Sequence, residues 1–137
     1  MKYLLDTHVF LWTMTADRRI ASVEEELIDP SNEVYVSATS LWEIEIKNAK
    51  GKLTISETEA LKALSQQSFL ELPVSMSQIR YLKTLCQAPD MPVHKDPFDN
   101  LLVAQAKAEG MVFLTADKSL SNYREPCIRN IIQSRER

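Results

Sequence analysis

Glycine is nearly absent: Gly51 and Gly110 are the only two in 137 residues. A phosphate-cradling loop or a dinucleotide-binding turn needs glycines where backbone meets phosphate closely, so both are excluded. Cysteine is equally scarce, with Cys86 and Cys127 alone. Two cysteines build neither a disulfide framework nor a cysteine-rich zinc centre, and they are expected to be buried thiols in a reducing compartment. No apolar run approaches the ~18 residues of a membrane span. The apolar start Tyr3-Leu4-Leu5 meets Asp6 too early for a signal-peptide core. A cytoplasmic protein without a membrane association is the expectation. The formal net charge is only −3, which gives no global attraction to nucleic acid. Any such role must come from local basic patches or bound cations.

What is present is an ordinary globular composition, 45% hydrophobic and 26% charged. The length suits one domain with a real core. We read residues 1–132 as that domain and 133–137 as a charged, frayed tail. Four apolar runs read as strands: Tyr3–Leu5, Glu33–Ser37, Phe69–Val74 and Met111–Thr115, with Cys127–Ile132 as a fifth. Between them the patterns predict helices over His8–Thr15, Arg18–Ile28, Ser40–Lys50, Ser56–Ser68, Ser77–Cys86 and Phe98–Glu109, with a polar loop at Gln87–Lys95. Continuous apolar strands alternating with helices predict an α/β fold, a parallel sheet with helices on both faces. Ligands of such sheets bind outside the strands' carboxyl ends, near the topological switch point.

Acids collect at those ends. Asp6 follows the first strand and Asp117 the fourth. Glu43 lies early in the helix after the second strand, and Asp99 opens the helix leading into the fourth. Each alone reads as a helix cap. Ser40-Leu41-Trp42-Glu43 matches a capping box, and Asp96-Pro97-Phe98-Asp99 places a cap, a proline and a dipole-favoured acid in order. Together they are harder to dismiss. Crowded carboxylates repel unless a cation compensates them. Oxygen-only donors select hard ions such as Mg²⁺ or Mn²⁺. Such ions activate water and stabilise charge during phosphodiester hydrolysis. Thr115 shares a strand face with Asp117, and its hydroxyl is placed to orient water or a carboxylate.

At these residues the chain resembles the PIN-domain ribonucleases, and among them the VapC-type toxins of bacterial toxin–antitoxin pairs. The motifs carrying the likeness are Leu4-Leu5-Asp6-Thr7-His8, then Ser37-Ala38-Thr39-Ser40-Leu41-Trp42-Glu43-Ile44. Next come His94-Lys95-Asp96-Pro97-Phe98-Asp99-Asn100-Leu101-Leu102-Val103-Ala104-Gln105-Ala106 and Phe113-Leu114-Thr115-Ala116-Asp117. Their order and spacing span essentially the whole chain. The resemblance implies a single PIN-like domain and a Mg²⁺- or Mn²⁺-dependent endoribonuclease. On it, Asp6, Glu43, Asp99 and Asp117 are the catalytic, metal-binding acids, and Asp96 and Thr115 support them. It further implies an RNA substrate, a homodimer and a cognate antitoxin covering the acids. Asn100 departs from the pattern, since relatives often carry Arg there.

Other readings stay open on the residues themselves. His8 and His94, the only histidines, would be an acid and base pair if the fold brought them together. Lys47, Lys50 and Lys52 form a basic stretch. Lys118, Arg124, Arg129, Arg135 and Arg137 form another beyond Asp117. Lys47, Lys50 and Lys118 are the candidate phosphate contacts; solvated surface charge is the plain alternative. Trp12 and Trp42 either stack on bases or pack in the core or an interface. A phosphoacceptor signalling domain also uses strand-end acids, and a non-catalytic interaction module would use the acids only as caps.

Overall fold

The computed structural model describes residues 1–87 and 96–132. The predicted loop residues 88–95, with His94 and Lys95, and the predicted tail 133–137 lie outside that description. Strands β1 (Lys2–Leu5), β2 (Glu33–Ser37), β3 (Leu70–Leu72), β4 (Val112–Thr115) and β5 (Ile128–Asn130) form one sheet in the order β3-β2-β1-β4-β5. Every pairing is parallel. The helices are α1 (Thr7–Met14), α2 (Glu24–Ile28), α3 (Ala38–Ala49), α4 (Glu57–Gln66), α5 (Met76–Ile79) and α6 (Pro97–Glu109). The expected α/β architecture with a parallel sheet is what the chain adopts.

Alternation along the strands builds two cores. Tyr3 and Leu5 of β1 join Val34 and Val36 of β2 and Phe10 of α1 on one face. Leu4, between them, joins Phe113 of β4 and Leu102, Val103 and Ala106 of α6 on the other. Successive strand side chains point to opposite faces, so a run apolar at every position is buried on both. Leu4, Leu5, Phe113 and Leu114 are wholly buried.

The strand order places the switch point between β1 and β4. The chain starts at the centre, builds outward through β2 and β3, and returns to β4 on the other side of β1. Leu5 pairs with Val36 on one side and Leu114 on the other. The next residue of each strand therefore comes level at the carboxyl edge: Asp6, Ser37 and Thr115. The Asp6 N–H donates to the Leu114 carbonyl at 2.9 Å and fixes this register.

Helix ends follow local chemistry. Ser56 and Glu59 form a reciprocal capping box on α4. Asp96 caps α6, accepting from the N–H groups of Phe98 and Asp99, with Pro97 in the first turn. Gly110 ends α6 at φ +67°, a left-handed conformation that favours glycine.

Several expectations need correction. The capping box predicted at Ser40–Glu43 does not exist, because α3 begins at Ala38 with Ser37 as its cap. The sheet register sets Ser37 at the strand end, so the helix starts one turn early and frees Ser40 and Glu43 for tertiary contacts. The helices expected over Arg18–Ile28 and Ser77–Cys86 are each split. The first is a 3-10 turn, Arg18–Val23, before α2; the second is α5 followed by a 3-10 turn, Arg80–Thr84. A further 3-10 turn, Lys118–Asn122, follows β4. The outer strands β3 and β5 are shorter than their apolar runs, as edge strands with a single neighbour are. The cysteines are not both buried: Cys86 is exposed and Cys127 partly so. Of the alternatives open for Trp42, its 58% exposure removes the core and leaves an interface or base stacking.

Candidate functional site

The site grows from the sheet's carboxyl edge. Asp6 leaves β1 directly over the switch point and caps α1, its Oδ1 accepting the Thr7 N–H at 2.7 Å. Its Oδ2 accepts the Thr115 hydroxyl at 2.6 Å. The same Thr115 oxygen accepts the Asp117 N–H at 3.1 Å. One strand-end hydroxyl thus ties the end of β1 to the turn after β4, as the level register requires.

Thr7 links Asp6 to Glu43, its N–H on Asp6 and its hydroxyl on Glu43. Thr7 Oγ1 lies 2.7 Å from Glu43 Oε1 and 2.9 Å from Ser40 Oγ. Glu43 is buried in the second turn of α3, and its Oε2 pairs with Lys47 Nζ at 2.8 Å, one helical turn on. Thr7 and Ser40 carry no acid or base; in the sequence Thr7 has no assigned role and Ser40 reads only as a helix cap. The available signal was their place beside the acids, in Leu5-Asp6-Thr7 and in the run Ser37–Ser40.

Asp99 is buried in the first turn of α6. Its neighbour Phe98 meets Trp42, the neighbour of Glu43, edge-on with ring centroids 4.9 Å apart. This aromatic pair joins α3 to α6 beside both acids. Asp117 is exposed and caps the 3-10 turn after β4, accepting the Ser119 N–H at 2.9 Å and its hydroxyl at 2.7 Å. Asp96 is exposed and acts as the α6 cap. The fold therefore links Asp6 to Thr115 through a hydroxyl and to Glu43 through Thr7, whose N–H meets Asp6 and whose hydroxyl meets Glu43. It sets Asp99 and Asp117 on the same edge of the sheet, each on its own element.

Burial dominates the electrostatics. It pushes the Asp6 carboxyl up, against the lowering effects of the Thr115 hydroxyl, the Thr7 N–H and the nearby His8, with the Glu43 charge adding a further rise. Desolvation, more than crowding by like charge, sets the direction. His8 is exposed beside Asp6. Tyr123, near Asp99 and Asp96, is pushed up to about 12, by burial first and by those two charges second.

The donor chemistry suits a hard divalent cation. Asp6 and Glu43 are nearly covered, all their donor atoms are carboxylate oxygens, and among the described residues no guanidinium pairs with Asp6. Among the described residues, no three His, Cys, Asp or Glu side chains are close enough to enclose an ion. Carboxylate oxygens of this kind suit Mg²⁺, which keeps several waters and takes one or two carboxylates. A hollow of about 640 Å³ at the amino ends of the strands, lined by Ile20, Leu27, Val34 and Phe69, holds none of these acids. Size alone does not make it the site. A smaller cleft of about 130 Å³ is lined by Thr115, Asp117, Tyr123 and Asn130.

The basic residues divide. Lys47 is engaged by Glu43, whereas Lys50 and Lys118 are exposed. Arg129 belongs elsewhere, paired with Glu26 at 2.7 Å and lying over the Tyr3 ring. Trp12 packs against the core with Arg19 over its ring at 4.1 Å.

Solved structures share this architecture. VapBC2 from Rickettsia felis, bound to a DNA fragment from its promoter, superposes with a TM-score of 0.65 at 19% identity, over 95% of this chain and 98% of that one. DNA-bound VapBC from Salmonella typhimurium gives 0.64 at 17%, over 96% and 98%. FitAcB from Neisseria gonorrhoeae gives 0.56 at 21%, over 85% and 88%. No curated protein sequence matches significantly. The sequence model of the PIN domain matches residues 3–126, from β1 to the turn before β5, and the chain belongs to that family.

Proposed function

We propose that this chain is a Mg²⁺- or Mn²⁺-dependent endoribonuclease acting as the toxin of a toxin–antitoxin pair. Family membership and the fold shared with the VapBC structures support a nuclease of the toxin kind. The observation that carries the reading is Asp6. It is a carboxylate buried over the switch point, held among the described residues by an N–H and a hydroxyl, where this class of sheet binds ligands. Asp6, Glu43, Asp99 and Asp117 would hold the ion, some directly and the rest through waters the ion keeps. When bound, the ion supplies Lewis acidity, generating a nucleophile from water near neutral pH and stabilising charge on the phosphate.

The protein's own groups do the rest. Thr115 and Thr7 fix the Asp6 carboxylate in one orientation. Lys47 neutralises Glu43 in the free protein and is placed to turn to a phosphate once Glu43 has another cation. Lys50 and Lys118 offer phosphate contacts that give affinity without base readout. Hydrolysis would leave 5′-phosphate and 3′-hydroxyl ends.

The reading extends to partners. A buried, under-neutralised acid site invites a cationic plug, and arginine's fork suits carboxylates. The cognate antitoxin is expected to place Arg or Lys near Asp6 and Asp117, and the toxin to work as a cytoplasmic homodimer. Among the described residues, no helix is long and apolar enough to cross a membrane.

The direct test is cleavage of end-labelled RNA by the purified protein in Mg²⁺, in Mn²⁺ and in EDTA, beside Asp6→Asn. Cleavage that needs the ion and is lost in Asp6→Asn supports the reading. Equal cleavage by a folded Asp6→Asn protein, or none by wild type, leaves an interaction module as the better account.

A further inference from the structure

One fully buried side chain in the core is polar and belongs to no step above. Gln105 lies on α6 with its amide wholly covered. Its oxygen accepts from the Ser37 hydroxyl at 2.6 Å. Ser37 itself accepts the Thr39 N–H at 2.9 Å, so its proton must go to Gln105. The Thr39 hydroxyl approaches the same oxygen at 3.4 Å. On the other side, Gln105 Nε2 donates to Gln78 Oε1 at 3.0 Å and lies 3.5 Å from the Pro73 carbonyl. Gln78 Oε1 also accepts the Ser75 N–H at 2.9 Å, and its Nε2 donates to Glu109 Oε2 at 3.0 Å.

The donors therefore all run one way. The line starts at the first turn of α3, passes through Ser37, Gln105 and Gln78, and ends on a carboxylate at the far end of α6. Turning either amide over would set oxygen against oxygen, so the network has one satisfied arrangement. Ser37, Thr39, Gln105 and Gln78 are all buried. Such a network specifies a unique packing where an apolar contact would allow several.

What it specifies is the placement of two helices. Ser37 is the cap of α3, which carries Glu43; Gln105 is on α6, which carries Asp99. The Trp42–Phe98 edge contact joins the same helices beside both acids. We infer that Gln105 is a positioning residue: by binding the α3 cap to α6 it sets the separation of Glu43 and Asp99, and so the affinity of the acid site for its cation. This rests on the nuclease reading only for the cation; the helix placement stands apart from it.

Trp42 reports that placement directly. In a Trp12→Phe background it is the sole tryptophan. Gln105→Met removes the amide and keeps the bulk. Folding is checked by circular dichroism, and Gln78→Met, which cuts the next link, serves if Gln105→Met does not fold. The expected result is a red-shifted, more readily quenched Trp42 emission as α3 leaves Phe98. The Mg²⁺ midpoint, read from the thermal upshift, should rise at least about tenfold, as when groups that orient metal ligands are lost. A folded variant with a lower melting temperature but unchanged Trp42 emission and Mg²⁺ midpoint would overturn the inference and leave Gln105 a packing residue. If wild type shows no Mg²⁺ response, the nuclease reading fails. The Trp42 emission then decides the positioning role alone: a shift upholds it and no shift ends it.

Discussion

Two carboxylates of this protein meet opposite fates. Glu26, on α2, receives the Tyr3 phenol at 2.5 Å and the Arg129 guanidinium at 2.7 Å. The Tyr3 hydrogen bond, aided by Arg129, holds its pKa below the usual carboxylate range despite partial burial. Asp6, at the other end of β1, is more deeply covered and receives only neutral donors among the described residues, so burial raises its pKa. A structural acid is supplied with its cation by the chain. Asp6 is not, and the fold bears that cost at the edge where a ligand would bind. The contrast separates acids that hold the fold from acids that await a partner.

The strongest way to break this contrast is to remove the charge. Asp6→Asn and Asp99→Asn should each lower RNA cleavage by orders of magnitude and abolish growth inhibition on expression. Arg129→Met, which strips Glu26 of its partner, should leave cleavage near wild type. Asp96→Asn should be mild, because asparagine caps nearly as well. Initial rates on labelled RNA decide all four.

A smaller effect tests the neutral support of Asp6. Thr115→Val keeps shape but removes the hydroxyl that donates to Asp6 and accepts from Asp117. Losing a buried partner costs about 1–3 kcal/mol, to be read from urea denaturation in EDTA. The partly exposed Glu26–Arg129 pair is worth less, on the order of 0–1 kcal/mol.

Cation addition sharpens the comparison next. With an assumed dissociation constant of about 1 mM, about 10 mM Mg²⁺ adds roughly 1.4 kcal/mol, or about 3–8 °C in melting temperature for a chain of this size. Asp6→Asn should melt above wild type in EDTA, since it removes a charge that burial penalises, and gain less from Mg²⁺. Glu26→Gln should melt lower yet gain as much as wild type. An equal Mg²⁺ gain in Asp6→Asn and wild type would place the ion elsewhere.

The smallest effect is the pH profile in EDTA, where the two acids act with opposite sign. Asp6 has a raised folded pKa. Its contribution is complete below the ordinary carboxylate value of about 4 and is lost as pH rises through the folded value. Glu26 has a lowered folded pKa. Its contribution is present above about 4.3 and is lost as pH falls through the folded value. Melts across pH 3–8 of wild type, Asp6→Asn and Glu26→Gln separate the two, each variant flattening its own limb.

Much of this was legible beforehand, for identifiable reasons. The central strands were readable because β1 and β4 are buried on both faces, so their apolar runs have no polar interruption. The α6 start was readable because Asp96 and Pro97 act locally. The start of α3 was misread because two caps compete there, Ser37 and Ser40, and local chemistry does not choose between them. Pairing of Ser37 with Leu72 keeps the chain extended to the strand end and decides it. The exposed Cys86 was misplaced for a related reason: residue type gives an average burial and not a position.

The sequence by itself determined the alternation of strands and helices, the parallel sheet that alternation demands, and the acids that follow its strands. These depend on periodicity and on neighbours along the chain. Only the tertiary structure decided which groups serve those acids. Thr7 reaching Glu43, Thr115 reaching Asp6 and Gln105 joining α6 to the α3 cap are contacts between residues 36, 109 and 68 positions apart. A hydroxyl or amide carries no mark in sequence of the partner it will meet. Sheet register brings Asp6, Ser37 and Thr115 level, and hydrogen bonding in a water-free interior then leaves each of them little choice.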